Sequence, residues 1–417
     1  MRWKIEDTPE RAAFRQEFTG WLRDVLPEGW MDAIDAGDDD RYQAVREASA
    51  FNPLEWMGTI GRSGYAAPLW PKEYGGLDAE PWALQIIREE LNRYRLPTVA
   101  PNLLGVGLAG PTIIGHGSDE QKERYLKKIL TGEEIWCQLF SEPGSGSDLA
   151  SLSTRAVKDG DEWVVNGQKV WTSIAQLAKW GMLVARTDPD KPKHEGLTYF
   201  ICDMKAPGVE IRPLRQMSGT AEFNEVYLTD VRIPDANRVG AVGDGWRAAR
   251  TTLMNERVAL SGIALDNAAI MGGTRRDPWR SFLDAIPDTS DPVIRQQVAQ
   301  FYIEQELKEI TSFRAQSARM RGDQPGPEGS IGKVFNAEYQ QRRTSFLANA
   351  RGPHAVAWEP GDTDAENRAY AFLRARANTI EGGTSEVLRN VIAERVLGLP
   401  RDPEVDKGVS WKDIKRN

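Results

Sequence analysis

The stretch Cys137-Gln-Leu-Phe-Ser-Glu-Pro-Gly-Ser-Gly-Ser-Asp148 runs from an apolar segment into hydroxyl groups, a carboxylate and small turn residues. Pro143 fixes its own φ and the two glycines tolerate positive φ, so a sharp turn is predicted here. Such a turn directs backbone N–H groups and serine hydroxyls towards one point, which suits a ligand with carbonyl or phosphate oxygens. Composition alone fits an ordinary polar loop as well.

The same stretch resembles the flavin-binding signature of the acyl-CoA dehydrogenase family, T-E-P-x-A-G-S-D. Ser141 stands in place of the threonine and Ser145 in place of the frequent alanine. Two further motifs follow in the order of the family: Val170-Trp-Thr-Ser173, similar to its W-I-T, and Ile380-Glu-Gly-Gly-Thr-Ser-Glu-Val-Leu-Arg389. Three motifs in this order, across nearly the whole chain, indicate the family more strongly than any one of them.

Helical signals dominate the first third of the chain. Thr8 is predicted to cap a helix that opens at Pro9, and Ser118 with Gln121 has the form of a capping box. From about residue 134 the pattern changes to short β-forming runs, at 153–157, 163–165, 169–172, 197–202 and 224–228. Asp159-Gly160 and Asn166-Gly167 are predicted to be hairpin turns between the first three runs.

The last third returns to long amphipathic segments with short connections, which is typical of an antiparallel helical bundle. One helix is predicted to open at Asp291-Pro292, with an apolar face that includes Leu307 and Ile310. We therefore expect an α+β chain of three domains. They are an N-terminal helical domain (1–133), a middle β-barrel or sandwich domain (134–240) and a C-terminal four-helix-type bundle (241–417). The family resemblance implies the same order.

Composition and charge exclude several classes of function. Acidic residues outnumber basic ones 61 to 53, which argues against a nucleic-acid surface, so an anionic CoA ester would need local cationic contacts. Cys137 and Cys202 are too few for a disulfide framework, and a reducing cytoplasm is expected. No apolar run is long enough for a membrane span or signal peptide. The three histidines have no zinc spacing, so neither metal chemistry nor histidine-assisted hydrolysis is expected.

Removing an α proton and a β hydride from an acyl thioester requires a base and a hydride acceptor. No side chain accepts hydride, so a cofactor must, and the resemblance implies FAD. By position in the motifs, the resemblance implies FAD contacts from Gln138, Phe140, Ser141, Trp171, Ser173, Asn349, Gly352, Thr384 and Glu386. It also implies CoA contacts from Ser147, Asn255 and Arg257. Without the motifs, Trp171 fits a buried strand aromatic and Thr384 a simple helix cap.

Two glutamates compete for the role of α-proton base. A base needs a carboxylate in an apolar, closed site, where its pKa rises towards that of the activated substrate. Glu256 lies in Leu253-Met-Asn-Glu-Arg-Val-Ala-Leu260 and matches the base position of isovaleryl- and long-chain-type members. Glu381 lies in the C-terminal loop, where other members carry the base, but alignment from Thr384 places it one residue off. We favour Glu256; otherwise it is a surface acid paired with Arg257.

One family motif is absent from the sequence. Most members carry an Arg-x-x-Phe-Gly motif that grips the FAD pyrophosphate of a neighbouring subunit, and the region 274–283 here lacks the Phe-Gly pair. Some actinobacterial members, including those that act on sterol side chains, resolve the same condition by pairing two different chains in an α2β2 assembly. This chain resembles the base-bearing half of such a pair. A homo-oligomer (dimer or tetramer) that uses Arg275, Arg276 or Arg280 instead is the alternative.

The resemblance implies an FAD-dependent acyl-CoA dehydrogenase that forms a trans-2-enoyl-CoA and passes electrons to an electron-transfer flavoprotein. Two alternatives stay open from the sequence. One is an acyl-CoA oxidase on the same fold, because oxygen access to a reduced flavin cannot be read from these residues. The other is a non-catalytic chain that stabilises a second chain, against which Ser141, Trp171 and Glu256 argue.

Overall fold

Helices, a β-sheet and further helices follow one another along the chain, which confirms the predicted fold class. The computed structural model describes residues 6–97, 103–262, 278–321, 329–401 and 403–414. The N-terminal helices are α1 (Pro9–Val25), α2 (Trp30–Asp35), α3 (Asp39–Ala48), α4 (Pro53–Arg62), α5 (Pro81–Arg93), α6 (Gly110–His116) and α7 (Asp119–Thr131). A π-helical turn, Gly105–Ala109, leads directly into α6 and packs against β1 and α8, which are defined below.

The predicted helix starts are confirmed by their caps. The Thr8 side chain accepts a hydrogen bond from the Arg11 backbone N–H, and Ser118 and Gln121 form both bonds of a capping box. Gln121 does more than cap, since its Nε2 also donates to the backbone oxygens of Ala236 and Arg238, at 2.7 and 2.9 Å. The start of α7 is thereby tied to the far end of the sheet region.

Within the described residues, eight strands form one mixed sheet. They are β1 (Trp136–Leu139), β2 (Arg155–Asp159), β3 (Glu162–Ser173), β4 (Trp180–Arg186), β5 (Leu197–Asp203), β6 (Val209–Leu214), β7 (Phe223–Pro234) and β8 (Arg238–Val239). The order is β6-β7-β3-β2-β4-β5-β8, and β1 lies parallel to β4. One sheet face packs on the N-terminal helices and α8, and the other covers a second core that includes Phe200 and Val226.

The turn predicted at Asn166-Gly167 is wrong, whereas the turn at Asp159-Gly160 is confirmed. Asn166 and Gly167 lie inside β3, at a register shift against β7. A Cβ on Gly167 would lie 2.3 Å from the Oγ1 of Thr154, so glycine is needed here for a close approach of two chain segments and not for a reversal. The strand therefore runs unbroken through Trp171.

The C-terminal helices are α8 (Gly245–Gly262), α9 (Pro278–Asp284), α10 (Pro292–Met320), α11 (Gly329–Asn349), α12 (Thr363–Arg374) and α13 (Ser385–Arg395). Phe282, Phe301, Tyr339 and Phe346 form the core that α9, α10 and α11 share. Leu307 and Ile310, predicted on the apolar face of α10, are 52% and 39% exposed in the single chain. Helix α8 packs on β4, β5 and α6, and it also contacts α11.

Residues 403–414, which we call the return segment, run back to the sheet. The ring of Trp411 lies 4.6 Å from the guanidinium of the buried Arg186, and its Nε1 donates to the Ser151 backbone oxygen at 3.1 Å. Lys193 bonds Asp148 at 3.1 Å and Asp406 at 2.6 Å. The return segment is therefore anchored beside the turn that follows β1.

Candidate functional site

The turn predicted after β1 is present and closed by two backbone hydrogen bonds. The N–H of Glu142 donates to the Ser145 oxygen at 2.9 Å, and the N–H of Ser145 donates back at 3.0 Å. The Ser145 hydroxyl donates to the Asp148 backbone oxygen, which fixes the next turn. Ser147 is exposed on the outside of this loop. The loop has the form that the Pro-Gly pair predicts, and Ser147 is accessible to a ligand.

A buried ion pair joins this loop to β3. Lys169 Nζ lies 2.9 Å from the Glu142 carboxylate and also donates to the backbone oxygens of Phe140 and Val184. Glu142 in turn accepts from the N–H groups of Ser153 and Thr154 at 2.7 and 2.8 Å. Burial opposes ionisation of Glu142, but the Lys169 charge and these donors outweigh it and lower the pKa of Glu142. No role was expected for Glu142 or Lys169 from the sequence.

The second motif presents an aromatic ring to solvent. Val170 and Thr172 are buried, whereas Trp171 between them is 57% exposed. Its φ is +59°, in the left-handed region that costs a residue with a Cβ about 1–2 kcal/mol. The Val170 N–H donates to the Ser141 oxygen at 2.9 Å, so the ring emerges directly beside the first motif. The indole is turned out of the strand, contrary to a buried strand aromatic.

Glu256 and Gln138 meet across the boundary between the sheet and the C-terminal helices. The Nε2 of Gln138, on β1, donates to the Oε2 of Glu256, on α8, at 3.3 Å. Both side chains are half-buried. The favoured base thus lies next to the strand that leads into the first motif. The Phe140 side chain is buried and its ring packs edge-on against Tyr199. The Phe140 backbone oxygen accepts from Lys169 Nζ.

The other residues assigned to the CoA moiety are placed differently. The Asn255 side-chain Nδ2 donates to the Thr251 backbone oxygen at 2.9 Å, so this amide is bonded within its own helix. The side chain of Arg257 lies outside the described part of the chain, as do Arg275 and Arg276. Arg280 is exposed on α9. Of the CoA contacts expected from sequence, Ser147 alone is seen as a freely accessible side chain within the described residues.

Glu381, the competing base, is held in an ion pair. Both of its carboxylate oxygens accept from the guanidinium of Arg374, at 3.2 and 2.8 Å. Arg374 Nε also lies 3.7 Å from Glu222, whose neighbour Phe223 touches the ring of Trp171. The third motif is thereby brought to the same end of the sheet as the second. Its glutamate, however, is committed to an arginine.

The Gly-Gly-Thr part of the third motif forms the entry to α13. Gly382 and Gly383 have φ of +64° and +97°, which only glycine adopts without strain. Thr384 is the N-cap of α13 and accepts from the Val387 N–H, and Glu386 lies in the first turn. Lys333 Nζ donates to the Gly383 oxygen at 2.6 Å. The helix-cap role of Thr384 is observed, and the first turn points its free N–H groups towards the loop.

Asn349 and Gly352 lie away from these contacts. Asn349 ends α11 and lines a cleft of about 500 Å³ between α10, α11 and the turn at 375–379. The cleft is rich in amide and guanidinium groups, from Gln297, Gln300, Gln341, Arg342 and Arg376. Gly352 has φ of +54° in the turn after α11.

The described residues also bear on the question of a metal site and of a membrane span. Within them, no cluster of three or more histidine, cysteine or acidic side chains is arranged to hold a metal ion. His116 bonds Thr251 at 2.8 Å, and burial lowers its pKa. None of the described helices combines the length and the apolar character needed to cross a membrane.

Family comparisons agree with the three-part architecture. The sequence matches three models in chain order, described as the N-terminal, middle and C-terminal domains of acyl-CoA dehydrogenase. The matched residues are 8–133, 137–231 and 243–397. The three models together cover the helices, the sheet and the C-terminal helices.

Two mycobacterial proteins illustrate the similarity. Acyl-CoA dehydrogenase FadE34 of Mycobacterium tuberculosis is 42% identical over 361 residues, covering 86% of this chain and 48% of that protein. The chain thus spans about half the length of that relative. Acyl-CoA dehydrogenase IpdE1 of the same organism is 37% identical over 393 residues, covering 93% of this chain and 98% of that protein.

Among solved structures, the ChsE4-ChsE5 complex from Mycobacterium tuberculosis has a similar fold. The TM-score is 0.71 at 30% sequence identity, and the match covers 96% of this chain and 100% of the matched chain.

Proposed function

The chain belongs to the acyl-CoA dehydrogenase family, a family of oxidoreductases, and we propose that it converts an acyl-CoA thioester to the trans-2-enoyl-CoA with Glu256 as base. The observation that carries the proposal is the hydrogen bond of 3.3 Å between Gln138 and Glu256. It brings a carboxylate of α8 to the strand that continues into the first flavin motif. Glu381 offers no comparable group, since Arg374 occupies both of its oxygens.

The reaction breaks two C–H bonds: the electron pair of one stays on the substrate, and that of the other leaves with the hydrogen. The α proton passes to the Glu256 carboxylate, and the electron pair of that bond forms the α,β double bond. The β hydrogen leaves with its own electron pair as hydride. Bound FAD supplies the acceptor for that hydride. A positioned base of this kind accelerates proton transfer by about 10²–10⁴. Gln138 donates to the Oε2 of this carboxylate and contributes to its orientation.

The described residues fit a flavin at the junction of the first two motifs. Trp171 offers an exposed aromatic face, and its backbone is held in the left-handed region by the ordered residues on either side. Strand β1 pairs with β4 along one edge. The backbone oxygens of Phe140 and Ser141 already accept from Lys169 Nζ and the Val170 N–H, so the N–H groups of this segment would be the ones to contact a ligand. We assign to the flavin ring Gln138, Phe140, Ser141, Trp171 and Ser173. Thr384, Glu386, Asn349 and Gly352 are assigned to the rest of FAD, and Ser147, Asn255 and Arg257 to CoA.

A pair of conservative substitutions tests the choice of base. Glu256→Gln keeps the size and the neighbour Gln138 but removes the proton acceptor, so bleaching of bound flavin by an acyl-CoA should fall by about 10²–10⁴. Glu381→Gln is the matched control and should retain turnover. FAD absorbance per chain must stay equal in both variants. Near-full turnover in Glu256→Gln, together with loss in Glu381→Gln, would reverse the assignment.

We also propose that a second acyl-CoA dehydrogenase-like chain completes the FAD site, and that an electron-transfer flavoprotein accepts the electrons. Support comes from the absent Arg-x-x-Phe-Gly motif and from the similar chain in the ChsE4-ChsE5 complex. The chain purified alone should hold well under one FAD per chain, and addition of a co-expressed partner should restore the visible absorbance. One FAD per chain in a particle of identical chains would instead establish a homo-oligomer.

A further inference from the structure

Three hydroxyl groups form a buried chain where the three parts of the molecule meet. Thr112 belongs to α6, Tyr199 to β5 and Thr252 to α8. The Oγ1 atoms of Thr112 and Thr252 are 2.8 Å apart, and the Tyr199 hydroxyl lies 3.2 Å from the Oγ1 of Thr252. All three residues are 0–1% exposed. The three hydroxyl groups therefore join the N-terminal helices, the sheet and the C-terminal helices inside a buried core.

Backbone acceptors lie next to both threonines. The Thr112 hydroxyl is 2.8 Å from the Leu108 oxygen, and the Thr252 hydroxyl is 3.3 Å from the Ala248 oxygen. Each threonine hydroxyl therefore links its own helix backbone to the next hydroxyl group. Burial raises the pKa of Tyr199, which keeps the phenol protonated as a donor at neutral pH. The last acceptor of the hydroxyl chain, the Leu108 oxygen, belongs to the π-helical turn Gly105–Ala109. A π-helical turn is a rare backbone form that is frequent at functional sites.

Two structural relationships connect these hydroxyl groups to the proposed base. Thr252 precedes Glu256 by four residues on α8, so both side chains lie on the same face of the helix, one turn apart. The ring of Tyr199 packs edge-on against Phe140, with 6.0 Å between centroids. Tyr199 thus contacts the residue after β1 through its ring and helix α8 through its hydroxyl group.

Packing alone does not require hydroxyl groups at these positions. Valine and phenylalanine have nearly the same shapes as threonine and tyrosine, and replacing both partners of a buried hydrogen bond by apolar groups can leave stability unchanged. What the hydroxyls add is direction, because a hydrogen bond weakens steeply when α8 slides or rotates relative to β5.

We propose that Tyr199, Thr252 and Thr112 are positioning residues that hold α8 in register with β1, so that the Glu256 carboxylate stays at Gln138. The inference rests on the proposed function, since it concerns the placement of the same base. A displacement of a catalytic group by about 1 Å can cost on the order of 100-fold in rate. Loss of these hydroxyl groups should therefore slow the abstraction of the α proton.

The first experiment compares Thr252→Val with Thr252→Ser in the assembled enzyme, measured by the rate of flavin bleaching with protiated and α-deuterated acyl-CoA. Thr252→Val should slow bleaching by about 10- to 100-fold and enlarge the α-deuterium isotope effect, at unchanged FAD content. Thr252→Ser, which keeps the hydroxyl, should recover most of the rate. Tyr199→Phe should resemble Thr252→Val.

Tyr125→Phe is the matched control. Its hydroxyl donates to Asn237 at 3.3 Å, also between a helix and the sheet region, but it touches neither α8 nor β1 through that bond. Its rate and isotope effect should stay those of the parent. Parent-like values in Thr252→Val and Tyr199→Phe, or losses that simply follow FAD content, would overturn the proposal.

A second measurement needs no turnover and separates this inference from the proposed function. If Thr252 positions Glu256, the Gln138→Leu substitution should destabilise the cofactor-free protein less in the Thr252→Val background than in the parent, as measured by denaturant unfolding. Additive effects would overturn the positioning role even in an active enzyme. If the effects are non-additive but no acyl-CoA bleaches the bound flavin, the positioning role of Thr252 stands and the proposed function is rejected.

Discussion

The side-chain amide of Gln138 donates to the carboxylate of Glu256 across 118 positions of sequence, at 3.3 Å. Strand β1 and helix α8 thereby contribute one group each to a single polar contact. A hydrogen bond to a charged group contributes about 1.5–3 kcal/mol, because desolvation strengthens the attraction. The contact therefore contributes to the orientation of the carboxylate.

Gln138→Leu should lower the rate of flavin bleaching by acyl-CoA by about 10- to 100-fold, since the carboxylate loses the donor that orients it. FAD absorbance per chain should change little if the role of Gln138 is mainly orientation. Stopped-flow absorbance at saturating acyl-CoA measures the effect. Gln168→Leu is the control, because Gln168 makes a similar amide-to-carboxylate bond, at 3.1 Å to Glu225, elsewhere on the sheet. Equal bleaching rates in Gln138→Leu and Gln168→Leu would show that Gln138 does not orient the base.

Trp171→Gly should separate stability from cofactor binding. Glycine relieves the left-handed strain of about 1–2 kcal/mol, while loss of the edge contact with Phe223 costs about 0.5–1.5 kcal/mol. Denaturant unfolding of the cofactor-free protein should therefore shift by no more than about 1 kcal/mol. FAD retained through gel filtration should nevertheless fall sharply. Leu177→Gly, which removes another exposed apolar side chain, should leave FAD content unaltered; a parallel loss would mean general loosening.

Lys169→Met should destabilise the protein by about 3–5 kcal/mol, because it leaves the Glu142 carboxylate buried without its cation. Adding Glu142→Gln should recover part of the loss, since a neutral amide needs no counter-charge. Urea unfolding at neutral pH gives the three free energies. A double variant less stable than Lys169→Met would show that the backbone donors of Ser153 and Thr154, and not the ion pair, dominate this junction.

The same pair predicts a pH dependence. The pKa of Glu142 is lower in the fold than its ordinary value of 4.5, so the folded state binds this proton less readily than the unfolded chain. Its stabilising contribution is complete above pH 4.5 and is lost as the pH falls through the lower, folded value. The parent should lose stability more steeply than the double variant below pH 4.5. Parallel curves would contradict the lowered pKa.

Trp411→Ala should destabilise the protein by about 2–3 kcal/mol, because it removes the aromatic face over Arg186 and one hydrogen bond to Ser151. Thermal unfolding measures the loss. Trp358→Ala is the matched control, since that tryptophan is 40% exposed and should change stability by less than about 0.5 kcal/mol. Similar losses in both variants would show that the return segment contributes nothing specific.

Local signals predicted the helix starts well. The caps at Thr8 and Ser118 depend on residues three positions away, so the sequence neighbourhood contains all partners of the bond. Strand β4 escaped prediction because all seven of its residues are buried and show no alternation of polar and apolar side chains. Asn166-Gly167 was misassigned because the partner that requires the glycine, Thr154, lies on another segment.

The site shows the same division. Motif resemblance pointed to Glu256 and Trp171, but the bond to Gln138 and the outward turn of the indole depend on tertiary contacts. The ion pair of Glu142 with Lys169 was not anticipated, since the two residues are 27 positions apart and only the fold brings the carboxylate to the lysine. The roles of the individual flavin and CoA residues remain predictions.

The return segment bears on how the molecule is assembled during synthesis. Trp411 reaches the Ser151 backbone oxygen across 260 residues, and its ring lies over a guanidinium that is otherwise enclosed by the sheet. During synthesis this contact can form only after residue 411 has been added. A copy of the sheet transplanted without the return segment would lack the aromatic group over Arg186.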